Sequence, residues 1–217
     1  ANVVRAYVRH FTQPGDFVLD PFGGSGVTAI EAMLLNRRAI HNDINPLANF
    51  IASQIADTTY EDTTYIKQAF LEVQARCKAL VERIPSMNET EVAKRLTDVE
   101  LPKNIALPRS SDAERYFDLF SPCQLLALAV LKEGVGRVSD PCARGALLLA
   151  WSATLGKLNK TFLSARGRLE SRGGSSIFSI YRYKLAANPV QLSPWEVFHE
   201  RVANVIAGKA EVLKQKR

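Results

Sequence analysis

The chain has little of what marks a secreted, metal-binding or membrane protein. Only three of its 217 residues are cysteines, and Cys77, Cys123 and Cys142 are far apart with no CxxC pair. An odd, scattered set of this kind gives neither a disulfide framework nor a zinc site, so free thiols in a reducing compartment are expected. The three histidines, His10, His41 and His199, have no metal-type spacing either; each reads as structural, and no metal is expected. No apolar run approaches the roughly 18 residues a membrane span needs. Ala1–His10 lacks the apolar core and cleavage pattern of a secretory signal, so a cytoplasmic protein with no membrane partner is expected.

What is present is enough for a globular core: 47% of residues are hydrophobic and 23% charged, in one large domain or two small ones. The net charge of +6 is unevenly spread. Residues 1–143 hold 15 Lys/Arg against 18 Asp/Glu, whereas residues 144–217 hold 13 against 4. The basic end suggests a polyanionic partner.

Along the chain, Phe17–Leu19 is a short apolar run closed by Asp20-Pro21 and a glycine cluster. Val27–Asn36 follows with Ala29, Ile30, Met33 and Leu34 on one helical face. A second strand is expected at Arg38–Asn42, ending at Asp43. Asn45 and Pro46 then supply the N-cap and first position of a helix through Gln54, completing a βαβ unit. Ile66, Phe70, Val73, Cys77, Leu80 and Val81 form a stripe that predicts a helix over Tyr65–Ile84. The proline-punctuated stretch Pro85–Pro108 reads as a loop with a short helix at Glu89–Leu96. Helices are expected from Ser121-Pro122 to Lys132 and over Pro141–Leu155. Beyond them lie a basic glycine loop, a strand-like alternation at Ile177–Lys184 and a helix at Pro194–Lys214.

The chemistry concentrates in Gly24-Ser25-Gly26-Val27-Thr28-Ala29, a G-x-G-x-x-(G/A) turn of the kind that carries a strand into a helix beside a nucleotide-type cofactor. Asp20 sits just before it. A carboxylate there repels a pyrophosphate and attracts a ligand bearing positive charge, such as the sulfonium and amino groups of S-adenosylmethionine. Asp43, 17 residues after Gly26, falls at the end of the second strand, where an acid accepts hydrogen bonds from ribose hydroxyls.

On these residues the chain resembles the amino-methylating DNA methyltransferases. Gly15-Asp16-Phe17-Val18-Leu19-Asp20-Pro21-Phe22-Gly23-Gly24-Ser25-Gly26-Val27-Thr28 is similar to their D-P-F-x-G-S-G-T-T cofactor motif. Arg37-Arg38-Ala39-Ile40-His41-Asn42-Asp43-Ile44-Asn45-Pro46 is similar to their R-x-I-G-x-D-x-N-P stretch. Val3–Thr12 resembles the end of the segment that precedes the motif, without its usual His-Pro or Lys-Pro lead-in, and Val27 replaces a threonine.

The resemblance covers about the first quarter of the chain. It implies S-adenosylmethionine as cofactor, with Asp20, Phe22, Gly24 and Gly26 around the methionine part and Asp43 at the ribose, and with Pro21, Gly23, Ser25 and Asn45 as further cofactor-binding candidates. It also implies DNA as partner, with transfer of a methyl group to adenine N6 or cytosine N4. The implied fold is α/β: a partial Rossmann-like methyltransferase fold with a large helical insertion. Its divisions are a cofactor-binding part over residues 1–60, the insertion over 61–156 and a basic segment over 157–217.

The family holds its flipped base with an (Asp/Asn/Ser)-Pro-Pro-aromatic loop, and no such tetrapeptide occurs in this sequence. Ser139-Asp140-Pro141-Cys142 and Leu192-Ser193-Pro194-Trp195 come nearest, and both read as helix starts. No catalytic residue is therefore assigned. The expectation is a cofactor-binding portion that needs a catalytic half from its own parent chain or from a partner subunit.

Lys157, Lys160, Arg166, Arg168, Arg172, Arg182 and Lys184 interleave with Phe162, Phe178, Tyr181 and Tyr183 against the single acid Glu170. That pattern suits phosphate contact with aromatic support, and equally a solvated surface loop. Two rival functions stay open: an RNA methyltransferase, whose motif shares features with Asp20-Pro21 and Ile30-Glu31-Ala32, and a noncatalytic module that keeps the cofactor fold.

Overall fold

The computed structural model describes residues 2–161, 183, 185 and 192–216. Helix α1 (Asn2–Phe11) leads into β1 (Phe17–Asp20), α2 (Val27–Leu34), β2 (Arg38–His41) and α3 (Pro46–Ala56). β1 and β2 pair in parallel, Phe17 opposite Arg38 through Asp20 opposite His41. Parallel neighbours need a crossover, and α2 supplies it, so this segment is a βαβ unit as its pattern predicts.

Side chains alternate across a strand. Val18, Asp20, Ala39 and His41 therefore look toward α2 and α3, and Phe17, Leu19, Arg38 and Ile40 look the other way. Among the described residues that second face is bare: Phe17 and Leu19 are each 62% exposed and Ile40 50%, with the Arg38 guanidinium lying 5.3 Å from the Phe17 ring centroid. Helix α1 packs on α2 through the buried Val8 and an Arg5 to Glu31 ion pair of 2.5 Å, while Val3, Tyr7 and Phe11, spaced by four, face solvent.

The remaining regular elements of the described chain are helices, α4 (Thr64–Arg83), α5 (Glu89–Thr97), α6 (Pro122–Gly136), α7 (Pro141–Lys157) and α8 (Pro194–Lys216), with short 3-10 turns at Ile84–Ser86 and Tyr116–Leu119 and an antiparallel bridge between Ala106 and Arg115. Local chemistry starts these helices. Asn45 accepts the Leu47 N–H at 3.0 Å, Asn88 and Glu91 close a reciprocal capping box, Ser121 and Gln124 close another, and Asp140 accepts the Ala143 N–H at 2.8 Å. Each such cap contributes about 1 kcal/mol. Asp140-Pro141 and Ser193-Pro194 are thus helix starts, as expected.

The core lies among α4, α6, α7 and α8. The α4 stripe of Ile66, Phe70, Val73, Cys77 and Val81 meets Leu126 and Leu131 of α6, Ala146 and Leu147 of α7, and Trp195, Phe198 and Val202 of α8. Phe70 stacks on Trp195 with ring centroids 5.6 Å apart, and burying an aromatic of this size stabilises by about 1.5–3 kcal/mol. Trp151 donates its indole N–H to the Leu128 carbonyl at 2.9 Å, so this polar atom is satisfied within the core.

Helix α8 also ties this bundle to the βαβ unit. Lys209, 4% exposed, donates to the Asp57 carbonyl at 3.1 Å and lies 3.7 Å from its carboxylate, while Gln215 accepts from Arg5 at 2.7 Å. The expected strand Ile177–Lys184 falls outside the described residues, Tyr183 excepted. No helix among the described residues is long and apolar enough to cross a membrane, and Cys77, Cys123 and Cys142 are all unpaired thiols.

Candidate functional site

The glycine turn, Asp20 and Asp43 come together at the carboxyl ends of β1 and β2, the usual position of ligand crevices in parallel sheets. The strand ends hold the turn: Asn42 donates to the Asp20 carbonyl at 3.0 Å, Gly23 donates to the Asn42 carbonyl at 2.9 Å, and the Gly26 N–H returns to the Gly23 carbonyl at 2.9 Å. Two glycines adopt left-handed backbone, Gly24 at φ 51° and Gly26 at φ 87°, which side-chain-bearing residues enter only at a cost. Gly26 also caps α2, and a methyl group on it would lie 2.7 Å from the Ala52 side chain of α3. Around Gly24, by contrast, a methyl group would meet nothing within 4 Å, leaving open space beside the turn.

Asp43 is the electrostatic centre. One carboxylate oxygen accepts the Asn45 N–H at 2.8 Å and the other the Gly24 N–H at 2.9 Å, while the Asn49 side chain donates to its backbone carbonyl at 2.8 Å. The Asn45 and Gly24 amides hold the Asp43 carboxyl below the ordinary range, so it is ionised at neutral pH. Each oxygen keeps a further lone-pair direction for a hydroxyl donor. Asp20 accepts the Phe22 N–H at 3.2 Å, closing the turn on itself. Phe22 and Ile44 stand exposed at 88% and 101%, large apolar side chains flanking the two acids in the sequence.

The nine candidate cofactor residues thus follow the ends of β1 and β2, with Gly26 buried and Asn45 directing its side-chain oxygen to the α3 cap. The basic candidates divide. Lys157 ends α7 and pairs with Glu200 at 3.8 Å; Lys160 follows, half-buried, its N–H bonded to the Leu119 carbonyl at 2.7 Å. Arg166, Arg168, Arg172, Arg182 and Lys184 lie outside the described residues. No His/Cys/Asp/Glu group that could hold a metal ion occurs among the described residues.

Two features of the site escape sequence reasoning. His41 packs directly against Gly23, and a groove of about 470 Å³ opens between α2, β2 and α3, lined by Ala29, Met33, Ala39, His41, Ala52 and Ala56 among others. The residues on both sides of Gly23 gave a signal, but nothing in the sequence ties a residue on β2 to it.

Residues 1–53 match the family model described as DNA methylase, which supports a likeness of that segment to the amino-methylating DNA methyltransferase family. The match spans α1, β1, α2, β2 and most of α3, the same elements that build the strand-end surface. No curated protein and no solved structure matches the chain. In general terms the match supports a DNA methyltransferase.

Proposed function

We propose that the chain is the S-adenosylmethionine-binding portion of a site-specific DNA methyltransferase that acts on adenine N6 or cytosine N4. The observation that carries the proposal is the meeting of Asp20, the Gly23–Gly26 turn and the doubly bonded Asp43 at one pair of parallel strand ends. The donor set fits the cofactor. Asp43 would accept the ribose hydroxyls, Asp20 with the open backbone at Gly24 would hold the positively charged methionine part, and Phe22 and Ile44 would supply apolar walls. S-adenosylmethionine brings the transferable methyl group on its sulfonium; the protein's share is to position both reactants.

The bare sheet face supports a complementary half. All-parallel sheets are covered on both faces, yet Phe17, Leu19 and Ile40 are open to solvent. A further layer carrying the base-binding loop would cover them, from the parent chain or from a second subunit, and would complete a Rossmann-like fold. The basic residues from Lys157 to Lys184 are proposed as DNA phosphate contacts.

Two measurements test this reading. Labelled S-adenosylmethionine should photo-crosslink to the chain and resist competition by NAD, whose pyrophosphate Asp20 repels; equal competition by NAD would point to a generic dinucleotide fold. Binding to duplex DNA should exceed binding to transfer RNA and weaken steeply with salt, and the reverse preference would favour an RNA methyltransferase.

A further inference from the structure

Gly23 is glycine for a different reason from its neighbours. Its backbone is not left-handed, unlike that of Gly24 and Gly26. A methyl group at Gly23 would instead lie 2.1 Å from His41 Nδ1 and 2.3 Å from His41 Cε1. Such distances are far inside van der Waals contact, so the His41 ring occupies the space that any side chain at position 23 would need.

His41 is the last residue of β2 and stands in register with Asp20 at the end of β1. Its ring therefore lies on the same face as Asp20 and supports the turn from the β2 side. Both ring nitrogens, Nδ1 and Nε2, are buried and have no hydrogen-bond partner among the described residues. Buried polar atoms ordinarily find partners, so hydrogen bonding does not explain this ring's placement; shape does. The next residue in each segment carries the consequence: Gly23 bonds to the Asn42 carbonyl, and Gly24 bonds to Asp43.

We propose that His41 is a positioning residue for the cofactor turn. Its imidazole fills the volume beneath Gly23 and sets the height at which the Gly23-Gly24 backbone crosses the strand ends, which brings the Gly24 N–H onto the Asp43 carboxylate. Gly23 and His41 are a coupled pair, and position 23 tolerates a side chain only when position 41 gives up its ring. The consequence for cofactor affinity rests on the function proposed above; the steric coupling does not.

The test is a double-mutant cycle of Gly23→Ala and His41→Gly in the 217-residue chain. It is read first by hydrogen exchange of the Gly24 amide without ligand, and second by affinity for S-adenosylhomocysteine. Gly23→Ala alone is expected to accelerate Gly24 exchange by about tenfold or more. Added to His41→Gly, it is expected to change exchange by less than about threefold, the non-additivity of residues in contact. An equal acceleration in both backgrounds, or none in the wild-type background, overturns the proposal. If Gly23→Ala fails to fold, circular dichroism of the double variant decides: recovery of structure supports the coupling, and continued failure overturns it. Coupled exchange without any S-adenosylhomocysteine binding by the wild type would leave the His41 role standing and reject the cofactor reading. Binding that weakens in Gly23→Ala regardless of residue 41 would do the opposite.

Discussion

Replacing Gly26 by alanine is expected to destabilise the βαβ unit through two separate costs. At φ 87° the backbone is left-handed, and the new methyl group would lie 2.7 Å from Ala52 Cβ and 3.1 Å from Ala52 Cα. The left-handed conformation costs a residue with a side chain about 1–2 kcal/mol. Forcing a methyl into a closed contact costs about 1–3 kcal/mol more, because the backbone atom of Ala52 cannot rotate away. The expected loss is roughly 2–5 kcal/mol, or a fall in Tm of roughly 4–20 °C for a chain of this size. Gly24→Ala is the internal control. It shares the left-handed backbone, φ 51°, but its methyl would meet nothing within 4 Å, so only the conformational cost of about 1–2 kcal/mol applies. Thermal and urea unfolding of the two variants measure the difference. Equal losses would refute the close approach of α2 to α3 at this point.

Other outcomes follow from the same structure. Asp57→Ala leaves the Lys209 ammonium in the core with only a backbone carbonyl, and is expected to cost about 2–4 kcal/mol, below the full value for a buried pair because Asp57 keeps some solvent access. In the wild type, burial pushes the Asp57 carboxyl up, but Thr59 hydrogen bonds and the Lys209 charge outweigh it and hold it below the ordinary value. Its contribution is thus present above the unfolded pKa and lost as pH falls below about 4; acid unfolding should begin at higher pH in wild type than in a Lys209→Met, Asp57→Asn double variant. Burial raises Tyr65 and Tyr116, and hydrogen bonding to Asp140 raises Tyr60, so tyrosine-linked stability is complete below about pH 10 and lost above it. Tm measured across that range should fall less in Tyr65→Phe. Ser121→Ala opens the α6 capping box and should cost about 1 kcal/mol by urea denaturation.

Most helices were legible because their starts are written locally. Asn45-Pro46, Ser121-Pro122 and Asp140-Pro141 each carry a capping side chain and a proline at the first position, and the structure begins a helix at each. The α4 stripe was legible by its period, apart from Leu80, which is only partly buried. The first helix is not legible in the sequence. Its exposed Val3, Tyr7 and Phe11 outweigh the single buried Val8, so its pattern does not point at the core it packs on.

The two strands, four residues each, are too short for alternation to say which face is covered, so the exposure of Phe17, Leu19 and Ile40 emerges only in three dimensions. The strand-end site was legible in its acids and glycines because their spacing follows the strand–turn–helix geometry. His41 was not, since its contact with Gly23 depends on the β1–β2 register.

The central claim is that this strand-end surface binds S-adenosylmethionine through Asp43, and calorimetric titration of the wild type and Asp43→Ala tests it most directly. Saturable binding by the wild type, lost in an Asp43→Ala variant that remains folded, is the result predicted. Equal binding by both proteins, or none by the folded wild type, would contradict the account.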